Sequence, residues 1–163
     1  MTDMLVKLYR LPPVVNEIEA LAAQGVTIRR ALVPEKHHVV TWVRENFSAF
    51  WESEADVSFS RMPVSCFIAV EDKQPIGFGC YDTTSRGFFG PTGVSETARG
   101  RGIGKAIMLA CMHDMLAQGY IYAIVGAVGP IEYYQKTVGA VVIDDSTPSV
   151  LAGLLRGKPK PAE

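Results

Sequence analysis

Four stretches of the chain carry apolar residues at every third or fourth position, the spacing of an amphipathic helix. In the first of them Val14, Ile18 and Leu21 follow this spacing, and Gly25 then provides a common helix terminator. Pro34 suits the first turn of the second stretch. The pattern predicts helices over residues 14–23, 34–51, about 52–59 and 103 to about 118.

Shorter apolar runs bounded by turn residues lie between these stretches and are typical of β-strands. The polar segments 71–75 and 82–87 are predicted turns, which place hairpins in the first half of the chain. Strands interrupted by helices predict an α/β fold with a mixed sheet. The predicted strands are Leu5–Leu8, Val26–Leu32, Cys66–Val70, Ile76–Tyr81, Phe88–Val94, Tyr120–Val125, Ala140–Ile143 and, as an edge or hairpin strand, Val150–Leu155.

Length and composition indicate how the chain is organised. With 163 residues and 48% hydrophobic content it can bury one sizeable core, so we expect a single domain over residues 1–156. Residues 157–163 are polar and proline-rich, and we expect them to form a disordered tail. The net charge of −1 gives no electrostatic reason to expect a nucleic acid or an anionic membrane as a partner.

The three cysteines are odd in number and lack the spacing of metal ligands. They predict buried thiols in a reducing compartment, and no metal site is expected. No apolar run reaches the roughly 18 residues of a membrane span. The first residues lack the basic start of a secretory signal, so we expect a cytoplasmic protein.

The segment 99–105 places three alternate glycines between cationic side chains, after a predicted strand and before the longest predicted helix. Glycine allows the backbone to turn tightly and to approach a ligand closely. The first turn of the helix offers unpaired N–H groups at the positive end of the helix dipole. Together these features predict a cradle for phosphate.

The spacing of the glycines indicates which phosphate is bound. A dinucleotide loop needs G-x-G-x-x-G, and a nucleotide-triphosphate loop needs Ser or Thr where this chain has Ala106. Arg99, Gly102 and Gly104 instead form R-x-x-G-x-G, within the run 93–106. This run resembles the acyl-CoA pyrophosphate loop of the GNAT superfamily of N-acetyltransferases. The alternative is an ordinary glycine-rich turn between a strand and a helix.

The resemblance implies a strongly bent mixed sheet whose middle strands separate to admit the pantetheine arm of acetyl-CoA. It also implies that the end of one middle strand and the loop amides hold this cofactor, and that the strand end helps to polarise the thioester. Cationic side chains of the loop could reach phosphates, although Lys105 is equally well explained as solvated surface charge. The implied cofactor-binding residues are Thr92, Gly93, Val94, Arg99, Gly100, Arg101, Gly102, Ile103, Gly104 and Lys105.

A second segment, 129–140, resembles the GNAT stretch in which an aromatic-Tyr pair leads to a lysine, a glycine and the next strand. Tyr134 matches the tyrosine that often protonates the departing thiolate, while Tyr133 is expected to pack on the core. The segment departs from the family pattern in four ways. Ala127 replaces the usual Asn, Pro130 the usual Ala and Ala140 the usual aromatic residue, and one extra residue lies within 137–138. The alternative for Tyr134 is a half-buried packing residue.

The sequence does not identify the group that deprotonates the acceptor amine. Some relatives use a glutamate on the strand before the loop as the base, and this chain has no glutamate on that strand. Glu52, Glu54 and Asp56 lie in the region that shapes the acceptor pocket in the family, but a solvated helix face also explains them. Glu96 and Glu132 are weaker candidates, and a base acting through water would leave no signature.

These features predict an N-acetyltransferase that moves acetyl from acetyl-CoA directly to a primary amine of a small molecule or peptide in a ternary complex. The alternative is a GNAT-like domain that binds acyl-CoA without turnover, as a sensor or structural partner. The apolar run 150–155 and family habit also suggest a homodimer, because exposed edge strands are usually paired or covered.

Overall fold

The computed structural model describes residues 1–155, which contain seven strands, five α-helices and several short 3-10 turns. The predicted disordered tail, 157–163, lies outside the described residues. In chain order the elements are β1 Thr2–Lys7, α1 Val15–Ala22, β2 Thr27–Arg30, α2 Lys36–Asn46, α3 Ala49–Ser58, β3 Cys66–Glu71, β4 Gln74–Tyr81, β5 Phe89–Val94, α4 Ile103–Ala117, β6 Tyr122–Val128, α5 Ile131–Val138 and β7 Val141–Val142.

The strands form two antiparallel sheets, one in the order β2-β3-β4-β5 and the other in the order β6-β1-β7. A single parallel bridge between Phe88 and Ile124 joins them, and the Ile124 amide donates to the Gly87 carbonyl at 2.9 Å. Beyond this bridge β5 and β6 have no ladder between them within residues 1–155. The two strands therefore separate toward their C-terminal ends, as expected for the bent α/β sheet.

The four-stranded sheet carries helices on both faces. Phe78 of β4 lies opposite Gly93 of β5 and packs against three aromatic rings of the α2–α3 region, those of Trp42, Phe47 and Trp51. On the other face α4 lies so close to β4 that a β-carbon on Gly79 would stand 2.6 Å from Ile107. Glycine at this position lets the helix approach the sheet.

The core surrounds α4, whose side chains are buried over most of its circumference. This burial explains why α4 is more apolar than a surface helix. Its 15 residues are fewer than a membrane span needs. No helix within residues 1–155 is both long and apolar enough to cross a bilayer.

Strand β1 lies between β6 and β7, so the first strand of the chain sits between two of its last. The buried Asp3 carboxylate holds this arrangement by accepting hydrogen bonds from the Ala127 amide at 2.8 Å, the Ser149 hydroxyl at 2.6 Å and the Val150 amide at 3.1 Å. Burial alone would raise the pKa of Asp3, but these hydrogen bonds outweigh it and lower the pKa.

The predicted strand over 150–155 is wrong. Val150–Gly153 form a 3-10 turn instead, and Leu154 and Leu155 follow without regular structure. The Ser149 hydroxyl accepts from the Leu151 amide at 3.2 Å, and Asp3 accepts from the Val150 amide. These two amides therefore stabilise a turn and are not available for pairing with a neighbouring strand. The expected homodimer loses one of its two grounds, the edge strand, and remains a prediction from family habit.

The two helices predicted over 34–51 and about 52–59 are present, but the break between them comes earlier, because α2 ends at Asn46 and α3 begins at Ala49. Ser48 separates them in extended backbone conformation and accepts from the Trp51 amide at 3.2 Å, which is the geometry of a helix N-cap. The remaining predicted elements are present with boundaries shifted by a few residues. The largest of these shifts are of three residues: β1 begins at Thr2 rather than Leu5, and β6 continues to Val128 rather than ending at Val125.

Candidate active site

The glycine-rich loop presents a row of free backbone amides at the start of α4. Gly100 and Gly102 have φ angles of +80° and +83°, and Gly102 caps the helix. The first bond of the helix runs from the Ala106 amide to the Gly102 carbonyl at 3.1 Å. The amides of residues 100–105 have no hydrogen-bond partner within the described chain. Such a row at a helix N-terminus can bind an anion.

Two of the three loop cations are engaged by carboxylates. Arg101 forms a bidentate salt bridge with Glu71 of β3, at 2.8 and 3.2 Å, and lowers the pKa of that carboxyl. Lys105 pairs with Glu17 of α1 at 2.5 Å and lowers its pKa. These pairs fasten the loop to its neighbours. Arg99 has no carboxylate partner among residues 1–155, so it is the loop cation available to a phosphate.

At the end of β5 the two faces of the sheet contact different helices, and one edge of the strand is open. A β-carbon on Gly93 would stand 2.5 Å from Phe47, so glycine lets α2 and α3 close over the strand. The Thr92 hydroxyl donates to the Phe78 carbonyl at 3.1 Å. Val94 faces the first turn of α4. Within residues 1–155 strand β5 pairs with β4 on one edge, and its other edge has no strand partner and is open to a ligand lying in the gap.

The two adjacent tyrosines of α5 lie in different environments. Tyr134 is 8% exposed and packs with the α4 core, and burial raises its pKa to about 12. Tyr133 is 41% exposed, and its hydroxyl lies 3.9 Å from the position of a β-carbon on Gly104. Tyr133 was predicted to pack on the core, but the tyrosine that does so is Tyr134. The Tyr133 hydroxyl is the one that lies beside the loop, and the Tyr134 ring packs edge-on against the Tyr133 ring at 5.4 Å between centroids. Burial raises the pKa values of both phenols.

A cavity of about 370 Å³ lies between the start of α3 and the end of β6. Phe50 and Ala127 come from these two elements, and the remaining wall comes from the chain ends. No local sequence pattern marks this cavity, because its lining residues are scattered along the chain. They are Met1, Phe50, Ala127, Pro148, Ser149, Leu151, Ala152, Leu154 and Leu155.

The three acidic side chains of α3 differ in their partners. Glu52 pairs with Arg44 at 2.7 Å, and Asp56 pairs with Lys36 at 3.0 Å. Glu54 is half-buried, has no cationic partner within residues 1–155 and accepts a hydrogen bond from the Thr84 hydroxyl. Burial raises the pKa of Glu54, and the Thr84 hydrogen bond partly opposes that shift. Glu54 is thus the acid of this helix whose environment differs most from a solvated surface.

The other acidic candidates lie on the surface. Glu96 is exposed, and Glu132 makes an exposed pair with Lys136 at 3.5 Å. Across residues 1–155 no three His, Cys, Asp or Glu side chains form a group that could hold a metal ion. A larger cavity, of about 560 Å³, lies between α2 and the β3–β4 hairpin and includes no residue of the loop or of α5.

Comparison with protein families identifies the chain. Residues 28–140 match the model of the acetyltransferase (GNAT) family, which is more than half of the sequence. The chain belongs to the GNAT acetyltransferase family. No curated protein matches it by sequence.

Solved structures share the GNAT fold at low sequence identity. A GCN5-related N-acetyltransferase from Sphaerobacter thermophilus is 22% identical over 87% of this chain and 48% of its own, with a TM-score of 0.68. The glucosamine N-acetyltransferase region of a fungal multi-domain β-N-acetylglucosaminidase is 16% identical over 87% of this chain and 19% of its own, with a TM-score of 0.71. This chain therefore spans less than half of either relative.

A third structure is similar in length. The diaminobutyrate acetyltransferase from Paenibacillus lautus, solved with L-2,4-diaminobutyric acid and coenzyme A, is 17% identical over 70% of this chain and 72% of its own, with a TM-score of 0.52. At identities this low, the structural similarity shows a shared fold alone.

Ala127, at the position of the usual GNAT asparagine, lies in a backbone bend that β1 stabilises. Ala127 has a φ of +51°, a conformation that Asn adopts more readily than Ala. Its amide is fixed by the Asp3 carboxylate at 2.8 Å. Pro130 then occupies the N-cap of α5. The bend at the end of β6 is thus held from β1 by a hydrogen bond to the backbone, without a polar side chain at position 127.

Proposed function

We propose that this chain is an N-acetyltransferase that moves acetyl from acetyl-CoA directly to a primary amine in a ternary complex. The observation that carries the proposal is the juxtaposition of the unpaired amides of 100–105 with the open edge of β5. The amides suit the pyrophosphate of the cofactor, and the strand edge suits the amide groups of its pantetheine arm. Family membership supports acetyl-CoA as the donor.

The proposed cofactor contacts run from the loop to the gap. Backbone groups from Arg99 through Lys105 bind the pyrophosphate, with the Arg99 side chain adding charge. The segment Thr92–Val94 holds the arm and polarises the thioester carbonyl, a role of oxyanion-hole type. Arg101 and Lys105 act mainly by fixing the loop, since both side chains are already paired.

The chemistry needs an acid for the departing sulfur. The amine nitrogen attacks the thioester carbonyl, the C–S bond breaks, and the thiolate takes a proton from a phenol. Tyr134 is the proposed acid on the GNAT pattern. Tyr133 is the second candidate, because its hydroxyl lies beside Gly104.

The experiment is calorimetry with acetyl-CoA, followed by a thiol-release assay over a panel of primary amines. Binding with turnover of at least one amine supports the proposal. Binding at full stoichiometry with no turnover across the panel would support the alternative, a GNAT-like domain that senses or stores acyl-CoA.

A further inference from the structure

We propose that Glu54 takes the proton from the ammonium of the acceptor, and that this acceptor is a primary amine on an apolar body. The inference rests on the proposed function and adds the base and the substrate class. It follows from three observations: the isolation of Glu54 from cations, the chemistry of the 370 Å³ cavity, and the position of α3 over the gap.

Glu54 is set apart from the charges around it. On α3 itself, Glu52 and Asp56 are held by Arg44 and Lys36. The loop packed against α3 supplies the Thr84 hydroxyl as the hydrogen-bond donor to Glu54. The other charged groups of that loop are engaged or exposed, since Asp82 contacts Arg61 at 3.6 Å and binds the Tyr120 hydroxyl at 2.5 Å, while Arg86 is exposed.

A half-buried carboxylate without a cation is suited to bind one. Desolvation raises the pKa of Glu54, which makes the group a better proton acceptor than a solvated glutamate. An ammonium group next to it would be favoured by charge and would share its proton. The structural alternative, a fixed contact between α3 and the loop, would not require an ionisable group, since an amide accepts from Thr84 equally well.

The cavity has the chemistry of an apolar binding site. Its side chains are mainly aliphatic or aromatic, from residues such as Phe50, Leu151 and Leu154. Among residues 1–155 its one polar side chain is that of Ser149, whose hydroxyl already donates to Asp3 at 2.6 Å. No charged side chain of these residues lines it, so a second cationic group on a substrate would lose solvation without a carboxylate partner. Its volume suits a small molecule.

Helix α3 connects the carboxylate, the cavity and the gap. Phe50 lines the cavity, and Glu54 follows it by four residues, so both lie on one face of the helix. Trp51, one position after Phe50, lies 3.1 Å from the β-carbon position of Gly93 on β5. Ala127 brings the far wall of the cavity to β6. An acceptor can therefore approach from the α3 face while the cofactor lies on the α4 face.

The proton balance of the step is complete. Glu54 takes one proton from the ammonium, directly or through one water, and the neutral nitrogen attacks the thioester carbon. The C–N bond forms as the C–S bond breaks, and the electron pair stays on sulfur. The tyrosine hydroxyl protonates that thiolate and is restored by the second proton that the nitrogen loses. Glu54 releases its proton to solvent.

The test compares Glu54→Gln with the matched control Asp56→Asn on the same helix, using phenethylamine and hexylamine against agmatine and diaminobutyrate. We expect the wild type to favour the first two in kcat/KM by at least tenfold. Glu54→Gln should lower kcat/KM for them by about 100-fold at neutral pH, with acetyl-CoA affinity unchanged. Asp56→Asn should behave like the wild type.

The pH profile separates a base from a structural residue. The wild-type rate should reach a plateau above the pKa of Glu54, whereas the rate of Glu54→Gln should keep rising about tenfold per pH unit toward the pKa of the amine. Thr84→Val should move the acidic limb of the wild-type profile to higher pH, because it removes a hydrogen bond that lowers the pKa of Glu54. This second variant also covers the case in which Glu54→Gln fails to fold.

Three results would overturn the inference. Glu54→Gln with the wild-type profile would remove the base, and an unmoved acidic limb in Thr84→Val would do the same. Preference for agmatine or diaminobutyrate would remove the apolar substrate class. A wild-type protein that acetylates no amine would instead overturn the proposed function, and this inference with it.

Discussion

The Tyr133 hydroxyl lies 3.9 Å from the point that a β-carbon of Gly104 would occupy. Val94 lies 3.6 Å from the same point. The first turns of α4 and α5 and the end of β5 therefore meet at one place, where the loop amides adjoin the gap. A cofactor arm leaving the loop has to pass this place to reach the gap, so the size of residue 104 should control its passage.

Gly104→Ala should raise stability and weaken cofactor binding. The added methyl makes only ordinary contacts in the free protein, and replacing a helical glycine by alanine stabilises a helix by about 1 kcal/mol. The same methyl occupies space beside the amides that face the pyrophosphate. We expect acetyl-CoA affinity to fall at least tenfold, about 1.4 kcal/mol, in calorimetry, and further in Gly104→Val.

Gly102→Ala is the matched variant for Gly104→Ala, because it changes a glycine of the same loop that has a positive φ angle. A β-carbon there would meet nothing within 4 Å, but the φ of +83° strains any residue with a side chain. It should cost about 1–2 kcal/mol of unfolding free energy, measured by urea denaturation. Unchanged acetyl-CoA affinity in Gly104→Val would contradict the proposed path of the cofactor.

Tyr134→Phe should lower the maximal rate by about 100-fold and leave acetyl-CoA affinity nearly unchanged. The substitution removes the proposed acid and keeps the ring that packs against the α4 core. Rates are measured by thiol release at saturating acetyl-CoA. The rate loss should shrink with a donor whose thiol is more acidic, because that thiol needs less help to leave.

Tyr133→Phe is the matched variant. It removes a hydroxyl one residue away, and the ring that carries this hydroxyl is 41% exposed. Full rate in Tyr133→Phe together with a slow Tyr134→Phe supports the proposed acid. The reverse pattern would move the role to Tyr133, and full rates in both would make the tyrosines structural.

The raised pKa of Tyr134 predicts the alkaline behaviour of the reaction. An acid works only while protonated, and burial raises its pKa from 10.0 to about 12. The maximal rate should therefore persist through pH 10, where an ordinary phenol is half ionised. Tyrosinate absorbance, taken as the difference between the wild type and Tyr134→Phe, should show this residue titrating above pH 11. A titration midpoint near 10 would contradict the burial of Tyr134.

Features that depend on local sequence could be predicted. The loop over 99–105 was found because its glycine spacing and the following helix are contiguous, and the structure gives Gly100 and Gly102 the positive φ angles that such a turn requires. The mixed α/β class and most of its elements followed from periodicity. The break between α2 and α3 was predicted after residue 51 and lies at Ser48, because the apolar spacing continues through Phe47 and Trp51.

Features that depend on distant pairing could not be predicted. Glu17 and Glu71 engage Lys105 and Arg101 from elements 88 and 30 residues away, and no local pattern marks these partners. The placement of β1 between β6 and β7 likewise gives no signal in the sequence. An apolar run such as 150–155 fits a strand or a packed turn equally well, and the contacts of Asp3 decide between them.

Asp3→Ala should destabilise the protein and open the cavity that we propose for the acceptor. The change leaves the Ala127 amide, the Ser149 hydroxyl and the Val150 amide without their shared acceptor in a buried setting, so we expect a loss of about 2–3 kcal/mol at pH 7. Because Pro148 through Leu155 form one wall of the cavity, KM for the amine should rise more than KM for acetyl-CoA. Asp144→Ala, at an exposed position on the same segment, should stay within about 0.5 kcal/mol of the wild type.

The pH dependence gives the loss in Asp3→Ala an independent check. The pKa of Asp3 is lowered on folding, so its contribution is fully present above the unfolded value near 3.8 and disappears as pH falls through the folded value. Urea denaturation of the wild type and Asp3→Ala should therefore show a gap that is constant from pH 7 to 5 and narrows below pH 4. A gap of constant size down to pH 2 would mean that Asp3 acts through packing rather than as a buried carboxylate acceptor that joins β1 to the end of the chain.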